Sequence, residues 1–117
     1  MHELGIAENV LRAALREARS SNAAQVLRVV VRVGSLSGVD PESLHFAFAA
    51  IRGGTPAANA TLEFDRVPAV GECRQCTATF PAEDEVYLGG CPRCGATAVS
   101  LRRGRELELV RVELAIS

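Results

Sequence analysis

Four cysteines in two close pairs constrain this chain more than any other feature of its sequence. The pairs are Cys73-Arg74-Gln75-Cys76 and Cys91-Pro92-Arg93-Cys94-Gly95; fourteen residues separate them, and they contain every cysteine of the chain. Each Cys-x-x-Cys turn points two sulfurs at one spot, so two facing turns supply the tetrahedron of thiolates that a structural zinc ion prefers. The spacing predicts zinc at Cys73, Cys76, Cys91 and Cys94, with disulfides, rubredoxin-like iron and a redox dithiol as alternatives.

The predicted zinc site is structural rather than catalytic. Four thiolates saturate the ion, which leaves no open position at which water could be activated. We expect a glycine at Gly95 because the turn must curl its backbone toward the sulfurs, where a Cβ would crowd. The chain offers no phosphate loop and no Gly-x-Ser-x-Gly turn, and its only histidines are His2 and His45. The sequence therefore does not predict an enzyme.

Length and composition fit one domain that carries a smaller insert. Of 117 residues, 48% are apolar but only 4% are aromatic, so the core must consist of Val, Leu, Ile and Ala. The 13 basic and 14 acidic side chains leave a net charge of −1, which does not favour a surface that tracks nucleic-acid phosphates. Neither a signal peptide nor an apolar run of ~20 residues is visible. We therefore expect a cytoplasmic protein without a membrane span.

Apolar periodicity predicts a helix followed by a strand in the first third of the chain. A helix from Leu4 to Arg19 is indicated by apolar residues at three- and four-residue steps, namely Leu4, Ala7, Leu11, Ala14, Leu15 and Ala18. The stretch from Gln25 to Val33 alternates between apolar and polar residues, which predicts a strand with one buried face. That face would consist of Leu27, Val29, Val31 and Val33.

A second helix and two further strands follow. Asp40 is the predicted N-cap of the helix, with Pro41 at its first position. Residues 61–67 and 105–116 read as strands, and the apolar pattern of the last strand slips by one residue, which predicts a bulge near Val110–Arg111. Two helices packed on a three-stranded mixed sheet give an α+β fold. Residues 1–68 plus 102–117 form its main domain, and residues 69–101 form a zinc-ribbon-like module inserted before the last strand.

The start of the chain is a second candidate metal site. The terminal amine of Met1, the backbone amide of His2 and the His2 imidazole can close adjacent chelate rings, which suits Ni(II) or Cu(II). Glu3 could add an oxygen or its own amide. The alternative is a solvated histidine ahead of a helix, with Glu3 favouring the helix dipole. From the residues alone both interpretations stay open, while His45 is expected to be a partly exposed surface residue.

Taken together, these motifs resemble the HypA/HybF family of accessory proteins, which insert nickel during maturation of nickel–iron hydrogenases. The resemblance rests on Met-His-Glu-Leu at the start, on the stretch from Val33 to Leu44 and on the two cysteine pairs, and it spans essentially the whole chain. It implies Ni(II) as transient cargo at His2 and Glu3 with the Met1 amine, which makes the main domain nickel-binding. It also implies structural Zn(II) at the four cysteines.

The function that the resemblance implies is that of a nickel metallochaperone. Its implied partners are a nickel-binding GTPase of the same maturation pathway and the precursor of the hydrogenase large subunit, and some relatives also serve urease. No nucleic-acid partner is expected, and a homodimer is one option for the oligomeric state. The alternative from another class is a zinc-ribbon module that binds protein or nucleic acid and has no nickel function.

Overall fold

The computed structural model describes residues 2–82 and 89–116, which form two helices and six strands. In chain order these are α1 (His2–Ser20), β1 (Ala23–Gly34), α2 (Pro41–Ile51), β2 (Thr61–Val67), β3 (Val70–Cys73), β4 (Thr79–Pro81), β5 (Val99–Arg103) and β6 (Leu107–Ile116). The strands make two three-stranded sheets, with the orders β2-β1-β6 and β4-β3-β5. Neither helix combines the length and the apolar composition that crossing a bilayer requires.

Helix α1 is amphipathic, as predicted, but its buried stripe is shifted. The helix buries Ala7, Val10, Leu11, Ala14 and Ala18. Val10 does not belong to the predicted stripe, whereas Leu4, which does, is 47% exposed. Periodicity identifies the residues that share one face of a helix, but it does not say how far along the helix the core extends.

Helix α2 begins as the sequence predicts. Asp40 is its N-cap and accepts a hydrogen bond from the Glu42 N–H at 3.3 Å, while Pro41 occupies the first turn, where a missing N–H has no cost. The helix buries Leu44 and Phe48, one turn apart, and packs against α1. The start of α2 is therefore specified by its local cap, and its packing position is specified by two apolar side chains.

Strand β1 is the central strand of the first sheet, and the prediction that Leu27 lies on its buried face is wrong. Leu27 is 48% exposed, while Val26 and Val29–Val31 are all buried. At its start the strand lines an open groove with Pro56, whose carbonyl accepts a hydrogen bond from the Val26 N–H at 3.0 Å. Of the four residues on the predicted buried face, Val29, Val31 and Val33 are buried and Leu27 is not.

Two arginines of β1 form ion pairs with β2. Arg28 approaches Glu63 with an N–O distance of 3.2 Å, and Arg32 approaches Asp65 at 3.0 Å. The pairs follow the same order along both strands, so β1 and β2 run parallel, as a crossover through α2 allows. The arginines flank Val30 on this face of the sheet, and Val30 is 9% exposed.

The same arginines also contact β6, and these contacts set its direction. Arg28 approaches Glu113 at 2.6 Å and Arg32 approaches Glu108 at 2.8 Å. The order is now reversed, so β6 runs antiparallel to β1, and the mixed sheet of the predicted fold is confirmed. Side chains alternate between the faces of a strand, yet Glu108 and Glu113 are five residues apart and reach the same face. This indicates a one-residue slip, in the region of the bulge predicted near Val110–Arg111.

The second sheet is small and antiparallel. Strand β3 lies in its centre, with Gly71 opposite Phe80 of β4 and Cys73 opposite Val99 of β5. A Cβ on Gly71 would come within 2.8 Å of the Phe80 ring, so glycine allows this ring to lie across the strand. The buried cluster beside this sheet comprises Ala69, Cys73, Phe80, Ala82 and Cys91.

The chain divides into two compact units. The first contains the residues up to Arg32, Val39–Asp65 and those from Glu108 onward, and the second contains Val33–Gly38 and Arg66–Leu107. Compactness does not by itself show which segments fold independently, so the predicted domains, residues 1–68 plus 102–117 and residues 69–101, stay a prediction.

The turn after β1 belongs to the second unit, which the sequence did not suggest. Within this unit the Leu36 N–H donates to the Gly104 carbonyl at 2.7 Å, and the Ala69 N–H donates to the Ser35 hydroxyl at 3.0 Å. A Cβ on Gly34 would collide with the Gly104 carbonyl. Glycine is required at position 34 because two backbones meet there.

Candidate metal centre

The four cysteine sulfurs converge on one point in the second unit. All four Sγ atoms lie within 4.8 Å of one another. Two close contacts join the two turns: Cys73 Sγ lies 3.6 Å from Cys94 Sγ, and Cys76 Sγ lies 3.7 Å from Cys91 Sγ. The prediction that two distant sequence pairs form one cluster is therefore confirmed.

The first turn begins at the end of β3. The backbone N–H groups of Gln75 and Cys76 both donate to Cys73 Sγ at 3.4 Å. The Thr77 N–H donates to the Cys73 carbonyl at 3.0 Å, and the Cys73 N–H donates to the Ala78 carbonyl at 2.9 Å, which closes the turn. The turn thus presents its sulfur and satisfies its own backbone at the same time.

The second turn repeats this pattern. The N–H groups of Arg93 and Cys94 donate to Cys91 Sγ at 3.4 Å, the Gly95 N–H donates to the Cys91 carbonyl at 2.8 Å, and the Cys91 N–H donates to the Ala96 carbonyl at 2.8 Å. Gly95 has φ of +78°, but no atom of the described residues lies within 4 Å of an added Cβ, so our expectation that a Cβ would crowd there is wrong. Glycine suits this position because its backbone is left-handed.

The sulfurs differ in their surroundings. Cys73 and Cys91 are buried, Cys76 is half-buried and Cys94 is exposed. Side chains that pack, partly buried, against the cluster containing Cys73 and Cys91 include Ala96, Val99 and Leu101. One side of the site is thus part of the core of the second unit, and the other faces solvent.

Backbone hydrogen bonds also separate the thiols by acidity. The N–H groups of Cys76 and Gln75 favour a thiolate and lower the pKa of Cys73 to about 6. The pKa of Cys91 is lowered in the same way, chiefly by the Cys94 N–H. The Ala96 N–H lowers the pKa of Cys94, but the neighbouring thiols, Cys73 first, and burial outweigh it and raise that pKa to about 12. The buried sulfurs are thus the first to become thiolates.

This donor set fits a structural zinc site. A zinc ion with four thiolates at about 2.3 Å requires sulfur–sulfur edges of about 3.8 Å, close to the two separations across the site. Such a site has N–H donors to its sulfurs, closed turns and no free coordination position. These are features of a structural metal site rather than of one that binds substrate. Neither histidine belongs to the cluster, which among the described residues consists of cysteine alone.

The second predicted site lies in the first turn of α1, in the first unit. His2 Nε2 is 3.2 Å from Glu3 Oε2; the His2 side chain is 60% exposed, whereas that of Glu3 is 17% exposed. Met1, whose terminal amine completes the predicted site, lies outside the described residues. The histidine is accessible to a solvated ion, and the glutamate beside it is largely covered.

Glu3 is held by the loop that precedes α2, a contact that sequence reasoning missed. Partial burial raises the pKa of Glu3, but hydrogen bonds, among them those from its own N–H and from the Asp40 N–H, outweigh this effect and lower the pKa. Asp40 was predicted only as an N-cap. The sequence signal that could have pointed to it is its place in the stretch from Val33 to Leu44, which carries part of the resemblance. His45, on α2, is exposed, as expected.

Comparison with known proteins agrees with this arrangement. The family model described as "Hydrogenase/urease nickel incorporation, metallochaperone, hypA" matches residues 1–114. Among curated relatives, hydrogenase maturation factor HypA of Geobacter sulfurreducens is 40% identical over 114 residues, which cover 97% of this chain and 99% of that protein. The factor of the same name from Deinococcus radiodurans is 46% identical over 110 residues, covering 93% and 89%.

Solved structures share the fold. The solution structure of the Ni metallochaperone HypA from Helicobacter pylori covers all of this chain and is itself fully covered, with a TM-score of 0.68 and 24% identity. A second HypA solution structure has a TM-score of 0.74 and 25% identity, covering 100% of this chain and 98% of that one. The family match over nearly the whole length, together with the four-cysteine site, leads to one assignment: the chain belongs to the HypA family of metallochaperones, which incorporate nickel into hydrogenase and urease.

Proposed function

We propose that this chain carries Ni(II) at its N-terminus during hydrogenase maturation and that His2 is the principal side-chain ligand. The observation that carries the proposal is the exposed imidazole at the first turn of α1, whose side chain is 60% accessible. Imidazole and backbone nitrogens are donors that suit Ni(II) in square-planar or octahedral coordination. With the Met1 amine and the His2 amide they would provide a site with few protein ligands, from which the cargo can pass on by ligand exchange.

Glu3 positions the N-terminal residues of this site. Its carboxylate lies against His2 and accepts a hydrogen bond from the Asp40 N–H, so it holds the first turn of α1 to the start of α2. A glutamate that is largely covered is better placed to orient the terminus than to bind a metal from solvent. Its own backbone amide is the atom that it can offer as a ligand.

The four cysteines would hold Zn(II) as a permanent structural ion. Two of the four cysteines belong to the buried cluster of the second unit, so the ion would reinforce the small hydrophobic core of this sheet. Saturated coordination also keeps this metal out of any reaction. A role in catalysis is not part of the proposal.

The partners are those that nickel transfer requires. A nickel-binding GTPase of the maturation pathway would exchange the ion with His2, and the precursor of the hydrogenase large subunit would receive it. Both exchanges would take place in the cytoplasm, where the cysteines stay reduced. A homodimer remains one option for the free protein.

Nickel titration of untagged, zinc-loaded protein tests this proposal. Calorimetry would compare the wild type with His2→Ala, and His45→Ala serves as the matched control because its exposed histidine lies on α2. We expect His2→Ala to abolish measurable nickel binding and His45→Ala to leave it unchanged, with one zinc per chain in all three proteins. Equal nickel affinity in the wild type and His2→Ala would refute the N-terminal site.

The variant Glu3→Gln tests whether the Glu3 carboxylate orients the N-terminus or coordinates nickel. If the carboxylate only positions the terminus, the amide keeps part of the contact with Asp40, and nickel binding weakens without losing its ligand-field spectrum. A changed spectrum would instead mean that the carboxylate is a ligand. Zinc content is measured in parallel, so that a folding defect is recognised.

A further inference from the structure

The four cysteines of the zinc site are not equally exposed. Cys73 has no exposed surface and Cys91 is 3% exposed, whereas Cys94 is exposed. Both buried sulfurs accept two backbone N–H groups each at 3.4 Å, from Gln75 and Cys76 in one turn and from Arg93 and Cys94 in the other. Hydrogen bonds of this kind withdraw electron density from sulfur and shield it from an electrophile.

Cys94 is also next to a sulfur with which it could form a bond. Its Sγ lies 3.6 Å from that of Cys73, while Cys76 Sγ lies 3.7 Å from that of Cys91. Movement of about 1.5 Å would bring the pair to the length of a disulfide. The residue that an oxidant reaches first is therefore already beside a partner that can resolve it.

We infer that Cys94 is the oxidation site of this protein and that Cys73 is its resolving cysteine. In the first step the sulfur of Cys94, which is a thiolate when zinc is bound, attacks one oxygen of hydrogen peroxide, the O–O bond breaks, and Cys94 sulfenic acid and hydroxide form. In the second step the Cys73 thiolate attacks the sulfenic sulfur, the Cys73–Cys94 disulfide forms, and a second hydroxide leaves. The two thiolates supply the two electrons that reduce the peroxide.

This reaction would remove two of the four thiolates from the site. The disulfide would join the two turns covalently, and Cys76 and Cys91 would remain as the only zinc ligands. Two thiolates hold the ion far more weakly than four, so zinc loss should accompany disulfide formation. Peroxide would thus act at the exposed side of the site, and the resulting loss of zinc would destabilise the second unit.

Peroxide titration of the zinc-loaded wild-type protein tests the proposal. Dimedone, which traps sulfenic acids, is present in one series; a colorimetric zinc chelator reports release in both, and peptide mapping locates the products. We expect dimedone on Cys94 at least fivefold above Cys76, and without dimedone a Cys73–Cys94 disulfide that forms in proportion to zinc release. Equal labelling of Cys76 and Cys94, or a dominant disulfide within one turn, would overturn the assignment.

A variant separates the two roles. In Cys73→Ser, sulfenic acid on Cys94 should persist because its resolving thiol is gone. Because this variant can lose zinc before oxidation, competitive alkylation of the wild type with limiting iodoacetamide gives an independent reading of Cys94 accessibility. Nickel titration of the same samples shows whether the N-terminal site is affected, so failure of one proposal is distinguishable from failure of the other.

Discussion

Thr77 and Gly95 hold equivalent positions after the two cysteine pairs, and both have a left-handed backbone, with φ of 64° and 78°. The N–H of each donates to the carbonyl of the first cysteine in its turn, Cys73 or Cys91. Glycine adopts this conformation freely, whereas a β-branched residue does so at a cost. One turn is therefore relaxed and its counterpart is strained.

Exchanging these residues should have opposite effects. Gly95→Thr should lower the free energy of unfolding of the zinc-loaded protein by about 1–2 kcal/mol, entirely through backbone conformation, because an added Cβ meets no neighbour. Thr77→Gly should be neutral or stabilising by up to about 0.5 kcal/mol, since relief of strain exceeds the added entropy of the unfolded chain. Thermal unfolding at a fixed zinc concentration measures both. Equal destabilisation by the two changes would contradict the equivalence.

Zinc affinity should rise with pH. At pH 7 the Cys73 thiol, with a pKa of about 6, is already a thiolate, whereas Cys94, with a pKa of about 12, still carries its proton. Binding the ion must then displace at least one proton, so the association constant should increase about tenfold or more per pH unit between pH 6 and 8. Below about pH 6 protonation of Cys73 adds to the loss. Competition with a chelator of known pH dependence measures the slope, and a flat profile would contradict the separation in acidity between Cys73 and Cys94.

Two phenylalanines on α2 should respond very differently to truncation. Phe48 is 1% exposed and Phe46 is 78% exposed. Phe48→Ala should lower the free energy of unfolding by about 3–5 kcal/mol because it removes buried surface and leaves a cavity. Phe46→Ala on the same helix should change it by less than about 0.5 kcal/mol, which makes it the matched control. Denaturant unfolding followed by circular dichroism checks both, and a large effect of Phe46→Ala would mean that its side chain is covered in solution.

Two glycines likewise form a contrasting pair. Gly34→Ala should disrupt the second unit, because the new Cβ would collide with the Gly104 carbonyl, and neither backbone can move without breaking the adjoining hydrogen bonds. Gly5→Ala, inside α1 with open space around it, should stabilise the protein by about 0.5–1 kcal/mol. Melting temperatures give the sign of each change. A tolerated Gly34→Ala would argue against the close backbone approach.

The metal cluster and both helices could be predicted from the sequence because their determinants are local. Cys-x-x-Cys spacing, the Asp40 cap and the apolar steps of α1 each act over a few residues. The slip in β6 was also visible, since its apolar residues change phase, and the contacts of Glu108 and Glu113 with the arginines of β1 agree with it.

What could not be predicted depends on distant segments. Leu27 is exposed and lines a groove with Pro56, and nothing in the alternation of β1 encodes that neighbour. The contact of Glu3 with the Asp40 N–H joins residues that are 37 positions apart in the chain. From the sequence around Glu3 one sees only an acidic residue that suits the start of a helix. Resemblance to a family indicated that both regions matter but not that they meet.

The position of β6 in the sheet has a consequence for how the protein is made. Strand β1 is the central strand, and one of its edges pairs with β2, which follows it closely, while the other pairs with β6, which follows only after the cysteine turns. During synthesis, the ribosome therefore releases all four zinc ligands before that second edge can be covered. Until then β1 presents an open edge, and Arg28 and Arg32 lack their partners on β6, so the emerging chain passes through a stage in which aggregation competes with completion of the sheet.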